Sequence, residues 1–183
     1  MSIEKLRNKF NIKLTYTLFP LHPYTPEEGL TMEELFKGRE FEIQAAKERL
    51  QKLMDAEGLE YGNRSRTYNS RLAQEMAKWA ESQGVDSKIH NALYRAYFVD
   101  GINLAKVDNL VPIAESMGLD GEEARKVLLE RQFKDIVDQD WEHCYQMGIS
   151  AVPTYICNDQ RLVGAQSYES FEQILTAAGA ALS

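Results

Sequence analysis

The sequence is poor in cysteine and contains no long hydrophobic run. It has two cysteines in 183 residues, Cys144 and Cys157, so a disulfide framework cannot supply its stability. No apolar stretch approaches the roughly 20 residues that a bilayer requires, which argues against a membrane-spanning protein. The first residues also lack the charged, apolar and small-residue regions of a secretory signal. We therefore expect a cytoplasmic protein whose stability comes from packing.

The chain also lacks an excess of positive charge. It carries 21 basic and 28 acidic side chains, with a formal net charge of -7, and its basic residues are scattered along the sequence. Such a balance offers no electrostatic footprint for phosphate backbones, so we expect no nucleic-acid partner. With 44% hydrophobic residues the chain can bury a real core, and its length suits one soluble domain, or one domain with an insertion.

Metal ligands at suitable spacing are missing as well. The histidines at 22, 90 and 143 are dispersed, with no cysteine or carboxylate partner at ligand spacing. Cys144 lies between apolar neighbours on a predicted helix, and Cys157 lies on a predicted strand. We expect no metal and no cofactor, and we assign both cysteines structural roles; a disulfide between them is left open, although a cytoplasmic setting argues against it.

The hydrophobic periodicity predicts an α/β protein with a long helical block. A short helix over residues 1–10 precedes a strand over Leu14–Phe19, and three prolines then make a loop up to Gly29. From Met32 onward apolar residues recur at helical spacing, until the period changes near Gly148. Two short strands, 154–157 and 161–164, then form a hairpin ahead of a final helix.

Capping residues mark several helix starts within that block. Asn69 and Asp108 are candidate caps, the second for a helix that carries Pro112 near its first turn, where a missing amide costs least. Asp120, with Glu123 three residues later, is close to a capping box.

Four segments in the same order along the chain resemble the FrnE-like branch of the DsbA family. One departure is Gln74, which stands where that branch usually has histidine. The matching segments are Leu18-Phe19-Pro20-Leu21-His22-Pro23 with Glu28-Gly29; Asn69-Ser70, Ala73, Met76 and Trp79-Ala80; Ala92-Leu93-Tyr94-Arg95-Ala96-Tyr97-Phe98 with Gly101-Ile102-Asn103; and Ile149-Ser150-Ala151-Val152-Pro153-Thr154-Tyr155 with Gly164-Ala165-Gln166.

This resemblance implies a thioredoxin-like fold with a large helical insertion. Residues 1–31 and 149–183 would form what remains of the thioredoxin-like domain, and residues 32–148 would form the insertion and a connecting helix. The resemblance also implies protein disulfide oxidoreductase activity, carried in the family by a Cys-x-x-Cys pair on a first strand and helix. Residues 1–183 contain no such pair and no such strand, so the fold is expected to be truncated at its N-terminus.

The missing strand leaves several alternatives open. A shortened gene model or a 5′ deletion would account for it, and the chain would then be an inactive portion of a disulfide oxidoreductase. Alternatively, the chain is a non-catalytic peptide-binding or degenerate thioredoxin-fold protein, or a relative of glutathione-dependent isomerases and kappa-class glutathione transferases. Leu14–Phe19 would then pair with the hairpin, stay unpaired, or recruit a strand from a second copy in a homodimer.

The resemblance also indicates candidate binding residues. Pro153 matches the cis proline of thioredoxin-like proteins, and Val152 before it would offer its backbone N–H and C=O to a thiol or extended-peptide substrate. The alternative is that Pro153 merely begins an edge strand. His22 lies in the loop that borders the family's groove, although a loop histidine is often a solvated bystander. Arg64 and Arg66 could meet an anionic thiol ligand or simply solvate their loop.

Overall fold

In the computed structural model, residues 2–38, 40–62 and 64–183 are described. The elements, in chain order, are α1 (Ser2–Lys9), β1 (Leu30–Thr31), α2 (Met32–Leu35), α3 (Glu40–Ala56), β2 (Arg66–Thr67), α4 (Arg71–Ser82), α5 (Asp86–Phe98), α6 (Val107–Ser116), α7 (Gly121–Leu129), α8 (Lys134–Gln146), β3 (Thr154–Cys157), β4 (Gln160–Val163) and α9 (Tyr168–Ala177). This mixture of helices and short strands confirms the predicted α/β class. Within the described ranges, no helix is both long enough and apolar enough to cross a bilayer.

Contacts divide the chain into two compact units. The first unit comprises Met1–Leu21 with Asp140–Ser183, and the second comprises His22–Gln139, so the division runs through α8. The sequence prediction placed its boundaries after residues 31 and 148. Those domain assignments stay a prediction, and the units below are the ones that the contacts define.

The first unit packs its helices and its hairpin around aromatic and aliphatic side chains. Strands β3 and β4 pair antiparallel, with Thr154 opposite Val163 and Cys157 opposite Gln160. Asn158 makes the turn with a φ of +50°, a conformation that asparagine tolerates better than most residues. The predicted hairpin is therefore present, with its second strand one residue earlier than expected. The core of the unit consists of Leu6, Phe10, Phe171 and Leu175.

The expected strand at Leu14–Phe19 is not a strand in the structure. Exposure alternates from residue 11 to residue 18, as in a half-buried strand, yet the segment joins no β-ladder among the described residues. The backbone N–H of Leu18 donates to Asp140 Oδ2 at 2.8 Å, and the Leu18 carbonyl accepts from the Cys144 thiol, with an Sγ to O distance of 3.6 Å. Side chains of α8 thus occupy the Leu18 groups that a ladder would use.

The second unit is a helical bundle with one pair of short strands. Helices α4 to α7 enclose its core, in which Met76, Ile89, Leu110 and Leu128 are almost fully buried. Strands β1 and β2 pair antiparallel; the sequence prediction missed both, because two residues carry no detectable alternation. Asp120 caps α7 through Glu123 N–H at 2.8 Å, as predicted.

Two of the predicted caps differ from the structure. Asp108 lies inside the first turn of α6, whose cap position is Lys106, and Pro112 lies in the helix interior rather than near its first turn. Asn69 precedes the cap position of α4, Ser70, and its Oδ1 accepts a hydrogen bond from Arg71 N–H at 2.9 Å. The sequence located these helix ends to within two residues, a usual margin for pattern reasoning.

A buried ion-pair cluster joins α4 to the end of α7. The Glu75 side chain is only 1% exposed, and it accepts hydrogen bonds from Arg71 Nε at 2.7 Å and from Arg131 Nε and Nη2 at 2.7 and 2.6 Å. Arg131 adopts a φ of +55° just after α7, a position where glycine is usual. A guanidinium at this position reaches Glu75 with two parallel hydrogen bonds.

We predict that Arg131→Gly destabilises the protein although glycine suits the backbone better. Relief of the left-handed conformation should contribute about 1 kcal/mol, whereas leaving a buried carboxylate short of a partner should cost about 3 kcal/mol or more. The free energy of unfolding from urea titration should therefore fall by about 2 kcal/mol. Asn158→Gly, at the other non-glycine left-handed position, is the matched control and should change it little. An Arg131→Gly variant as stable as the parent chain would contradict this account.

Candidate functional site

The segment between α8 and β3 contains the residues that the resemblance singled out. Gly148, with a φ of +63°, ends the helix, and the backbone N–H of Ile149 donates to Cys144 O at 2.9 Å. The Val152-Pro153 peptide bond is cis, as the resemblance led us to expect. Thr154 Oγ1 donates to Ala151 O at 2.6 Å and so braces the turn that leads into β3.

Val152 differs from its neighbours in having its main-chain groups unused. The Ala151 and Pro153 carbonyls are occupied, the second by Gly164 N–H at 2.7 Å. Within residues 2–38, 40–62 and 64–183 there is no hydrogen-bond partner for the N–H or the C=O of Val152. The residue as a whole is 41% exposed.

The register of the hairpin extends this feature along β3. Because Gly164 N–H bonds to Pro153 O and Tyr155 lies opposite Leu162, the alternation of an antiparallel ladder turns the main-chain groups of Thr154 and Ile156 away from β4. No residue of the described ranges pairs with them. Val152, Thr154 and Ile156 therefore present donors and acceptors along one open edge, which we call the β3 edge.

The two faces of β3 have different surroundings. Tyr155 and Cys157 pack on the core of the first unit, and the Tyr155 ring meets Phe171 edge to face at a centroid distance of 4.7 Å. Burial, followed by the nearby Tyr16, raises the pKa of Tyr155, which keeps its hydroxyl neutral. Ile156, on the opposite face, is 46% exposed. The core anchors the strand, and its edge stays accessible.

The two cysteines are free thiols in this structure. Cys144 is buried, and burial, assisted by the charge of Asp140, raises the pKa of its thiol. A raised pKa lowers the fraction of thiolate, the reactive species, at neutral pH. Cys157 belongs to the packed face of β3. Their placement agrees with structural roles, and the described residues contain no group of His, Cys, Asp and Glu that could hold a metal ion.

His22 lies in a different unit from the β3 edge. It begins the second unit, where it is partly exposed and its carbonyl accepts a hydrogen bond from Thr25 N–H at 3.2 Å. Val152 and Pro153 adjoin each other in the first unit. The proposed binding role of His22 stays a prediction.

Asn69 is a structural residue whose full role the sequence did not reveal. Its Nδ2 donates to the carbonyls of Pro23 and Thr25 at 3.1 and 2.8 Å. The amide nitrogen of Asn69 thus holds the proline loop, and its amide oxygen accepts a hydrogen bond from the first turn of α4. An Asn-Ser pair at a helix start signals a cap, but only the fold shows which loop the amide nitrogen reaches.

The sequence also missed the unpaired groups of Thr154 and Ile156. The alternation of residues 154–157 predicts a strand, but which main-chain groups face outward depends on the register with β4. The Gly164 to Pro153 hydrogen bond fixes that register. The site is therefore larger than Val152 and Pro153 alone.

A cis proline at the start of a hairpin that precedes a closing helix defines a thioredoxin-like site. Comparison with family models agrees, because the model of the DSBA-like thioredoxin domain matches residues 1–176. The chain belongs to this family.

Individual relatives fit the same picture. The chain is 27% identical to a "probable DsbA oxidoreductase" from Streptomyces coelicolor, with a TM-score of 0.79 over 87% of this chain and 72% of that one. The structure of a "putative protein disulfide isomerase" from Nitrosomonas europaea shares the fold at 17% identity, with a TM-score of 0.68 over 96% of this chain and 87% of the other. The uncharacterized protein YwbO of Bacillus subtilis (strain 168) is 30% identical over 106 residues. That match covers 57% of this chain and 53% of YwbO, about half the length of that curated relative.

Proposed function

We propose that this chain takes part in thiol:disulfide exchange as a member of the FrnE-like branch of the DsbA family, with the reactive cysteine pair supplied from outside residues 1–183. The observation that carries the proposal is the β3 edge, where Val152, Thr154 and Ile156 leave main-chain groups unpaired beside an exposed surface. Such an edge binds an extended peptide by strand addition. The branch assignment is supported by the four sequence segments that resemble it.

The proposed reaction divides the work between the β3 edge and the external cysteine pair. A thiolate of the pair attacks one sulfur of a substrate disulfide, forms a mixed disulfide, and releases the other substrate sulfur as a thiolate. The substrate backbone lies along the β3 edge during this step, where Val152 N–H donates to a substrate carbonyl and Val152 C=O accepts from a substrate amide. The second cysteine of the pair then attacks the mixed disulfide, which frees the reduced substrate as a thiolate and leaves the pair oxidised to a disulfide.

The cysteines of the chain itself are unsuited to this reaction. Cys144 is buried with a raised pKa, and Cys157 faces the core of the first unit. Neither belongs to a Cys-x-x-Cys motif. We therefore propose that residues 1–183 alone are catalytically inactive, and that the protein functions in the cytoplasm, where both thiols would stay reduced.

The catalytic inactivity proposed for residues 1–183 can be tested with an insulin reduction assay. Recombinant residues 1–183 should reduce insulin disulfides in the presence of dithiothreitol no faster than dithiothreitol alone, because no activated thiolate is available. A Cys144→Ser, Cys157→Ser variant is the matched control and should give the same rate. Acceleration by the parent chain that this variant loses would contradict the proposal.

Peptide binding at the β3 edge can be tested at the main chain of Val152. Val152→Pro removes the N–H that would pair with the peptide, and should weaken binding of fluorescein-labelled, reduced and carboxymethylated insulin B chain about fivefold in fluorescence anisotropy. Val152→Ala keeps the N–H and should bind as the parent chain does. Melting curves should first establish that both variants are folded, so that a loss of affinity reports on the N–H alone. Equal affinity of the proline and alanine variants would show that the main chain of Val152 is not used.

A second candidate function is a non-catalytic peptide-binding protein that uses the same β3 edge. An open edge can also pair with a second copy of the chain, and this alternative predicts a folded homodimer that binds peptides without turnover. Light scattering after size exclusion should then give twice the 20.9 kDa of the chain.

An Ile156→Lys variant would test that interface. A charged side chain on an open strand opposes pairing, so the variant should be a monomer. Ile136→Lys makes the same change at an exposed position of α8 and serves as the control. A parent chain that is monomeric and well folded would contradict the homodimer.

A further inference from the structure

A cavity in the second unit, outside the site described above, is lined by two cationic side chains. It has a volume of about 250 Å³ and lies between α3 and the loop that leads into β2. Its walls are formed by Lys47, Glu48, Gln51, Tyr61, Gly62 and Arg64. The size suits a small organic molecule.

Arg64 is held in one orientation at this cavity. Its Nη1 donates to Arg66 O at 2.8 Å and to Thr67 Oγ1 at 3.0 Å, and its guanidinium carbon lies 4.4 Å from the ring centroid of Tyr97. A guanidinium fixed over an aromatic face loses little freedom on binding a further acceptor. Arg64 is therefore preorganised.

The loop beside Arg64 is also fixed. Gly62 N–H donates to Phe98 O at 2.9 Å. A Cβ at Gly62 would lie 2.1 Å from the carbonyl oxygen of Val99, so only glycine allows this approach to the end of α5. The wall of the cavity is thereby tied to the bundle.

Among the side chains that the structure describes, which leave out those of residues 40–43 on α3, the positive charge of Arg64 has no counterion. Its hydrogen bonds there go to neutral acceptors, and its Nε is buried without an acceptor. A buried donor without a partner is rare in native proteins, and a cation held without a carboxylate is costly. An anion in the cavity beside the guanidinium would supply the missing counterion.

The opposite wall provides a second cation. Lys47 is partly buried, and it makes no hydrogen bond or ion pair within the described ranges. Two carboxylates lie nearby: Glu48 lines the cavity but accepts a hydrogen bond from Gln44 Nε2 at 2.8 Å, and Glu33 is close enough to feel the charge of Lys47. The residues that line the cavity therefore include two cations and one carboxylate, and that carboxylate already accepts a hydrogen bond.

We propose that this cavity binds a small organic anion, with a phosphate or carboxylate group between Arg64 and Lys47 and its body against Tyr61. Arginine and lysine are the side chains that recognise such groups through charge-assisted hydrogen bonds. The site lies apart from the β3 edge in the chain, and it does not depend on the proposed thiol chemistry.

Titration calorimetry at fixed ionic strength tests this site with three probes, namely inorganic phosphate, phenyl phosphate and benzoate. We expect saturable binding of at least one probe below about 10 mM. Tighter binding of phenyl phosphate than of inorganic phosphate identifies an organic phosphate, and preference for benzoate identifies an organic carboxylate. Tightest binding of inorganic phosphate would contradict a site for an organic anion. Absence of saturable binding for all three probes overturns the proposal.

Two variants on α3 distinguish a specific anion-binding site from a general effect of the net charge. Lys47→Gln should raise the dissociation constant about tenfold, because it removes a charge-assisted contact. Lys52→Gln makes the same charge change at an exposed position on the same helix outside the cavity, and should alter the constant less than about twofold. Because Lys47 is partly buried, melting curves must first verify that its variant is folded as the parent chain is. Equal weakening by the two variants overturns the proposal.

Discussion

Glu75 is the constraint on which the helical unit depends, because a carboxylate at 1% exposure requires ionic partners. Burial acts to raise the pKa of Glu75, but hydrogen bonds from Arg131 and Arg71 outweigh it and hold the pKa below its ordinary value. Since the folded pKa is depressed, the stabilisation is present above the unfolded value and is lost as pH falls through the folded one. Arg71 also donates to Lys134 O at 2.7 Å and pairs with Asp138, so one cluster joins α4, the end of α7 and the start of α8.

The sequence predicted the elements whose signals are local. The hairpin formed by β3 and β4 and the cap at Asp120 depend on neighbours within a few residues, and both predictions are confirmed. The prediction of a strand at Leu14–Phe19 was wrong because a strand depends on more than local signals. Alternation describes how side chains meet the core, and that alternation is present, but a strand also needs a partner ladder, which no local pattern specifies.

The candidate site could be located from sequence only through resemblance. Val152-Pro153 has no composition or spacing that marks it as special, and the family motif alone indicated it. The extension of the site to Thr154 and Ile156 could be recognised only from the register of β3 with β4. The hydrogen bonds that Asn69 donates to Pro23 and Thr25 depend on where the fold places the proline loop. The cavity lined by Arg64 was harder still to predict from the sequence, because an arginine in a loop is usually solvated. Only the burial of its Nε distinguishes Arg64 from such a residue.

The unpaired main-chain groups of the β3 edge favour the extended-chain ligand proposed above. The unpaired groups at Val152, Thr154 and Ile156 repeat every second residue, which matches the spacing of main-chain groups along another strand. A compact apolar ligand would leave these donors and acceptors unsatisfied, at a cost for each group that it removed from water. Main-chain pairing itself does not depend on side-chain identity, so under the proposed function the selectivity would have to come from the disulfide of the substrate.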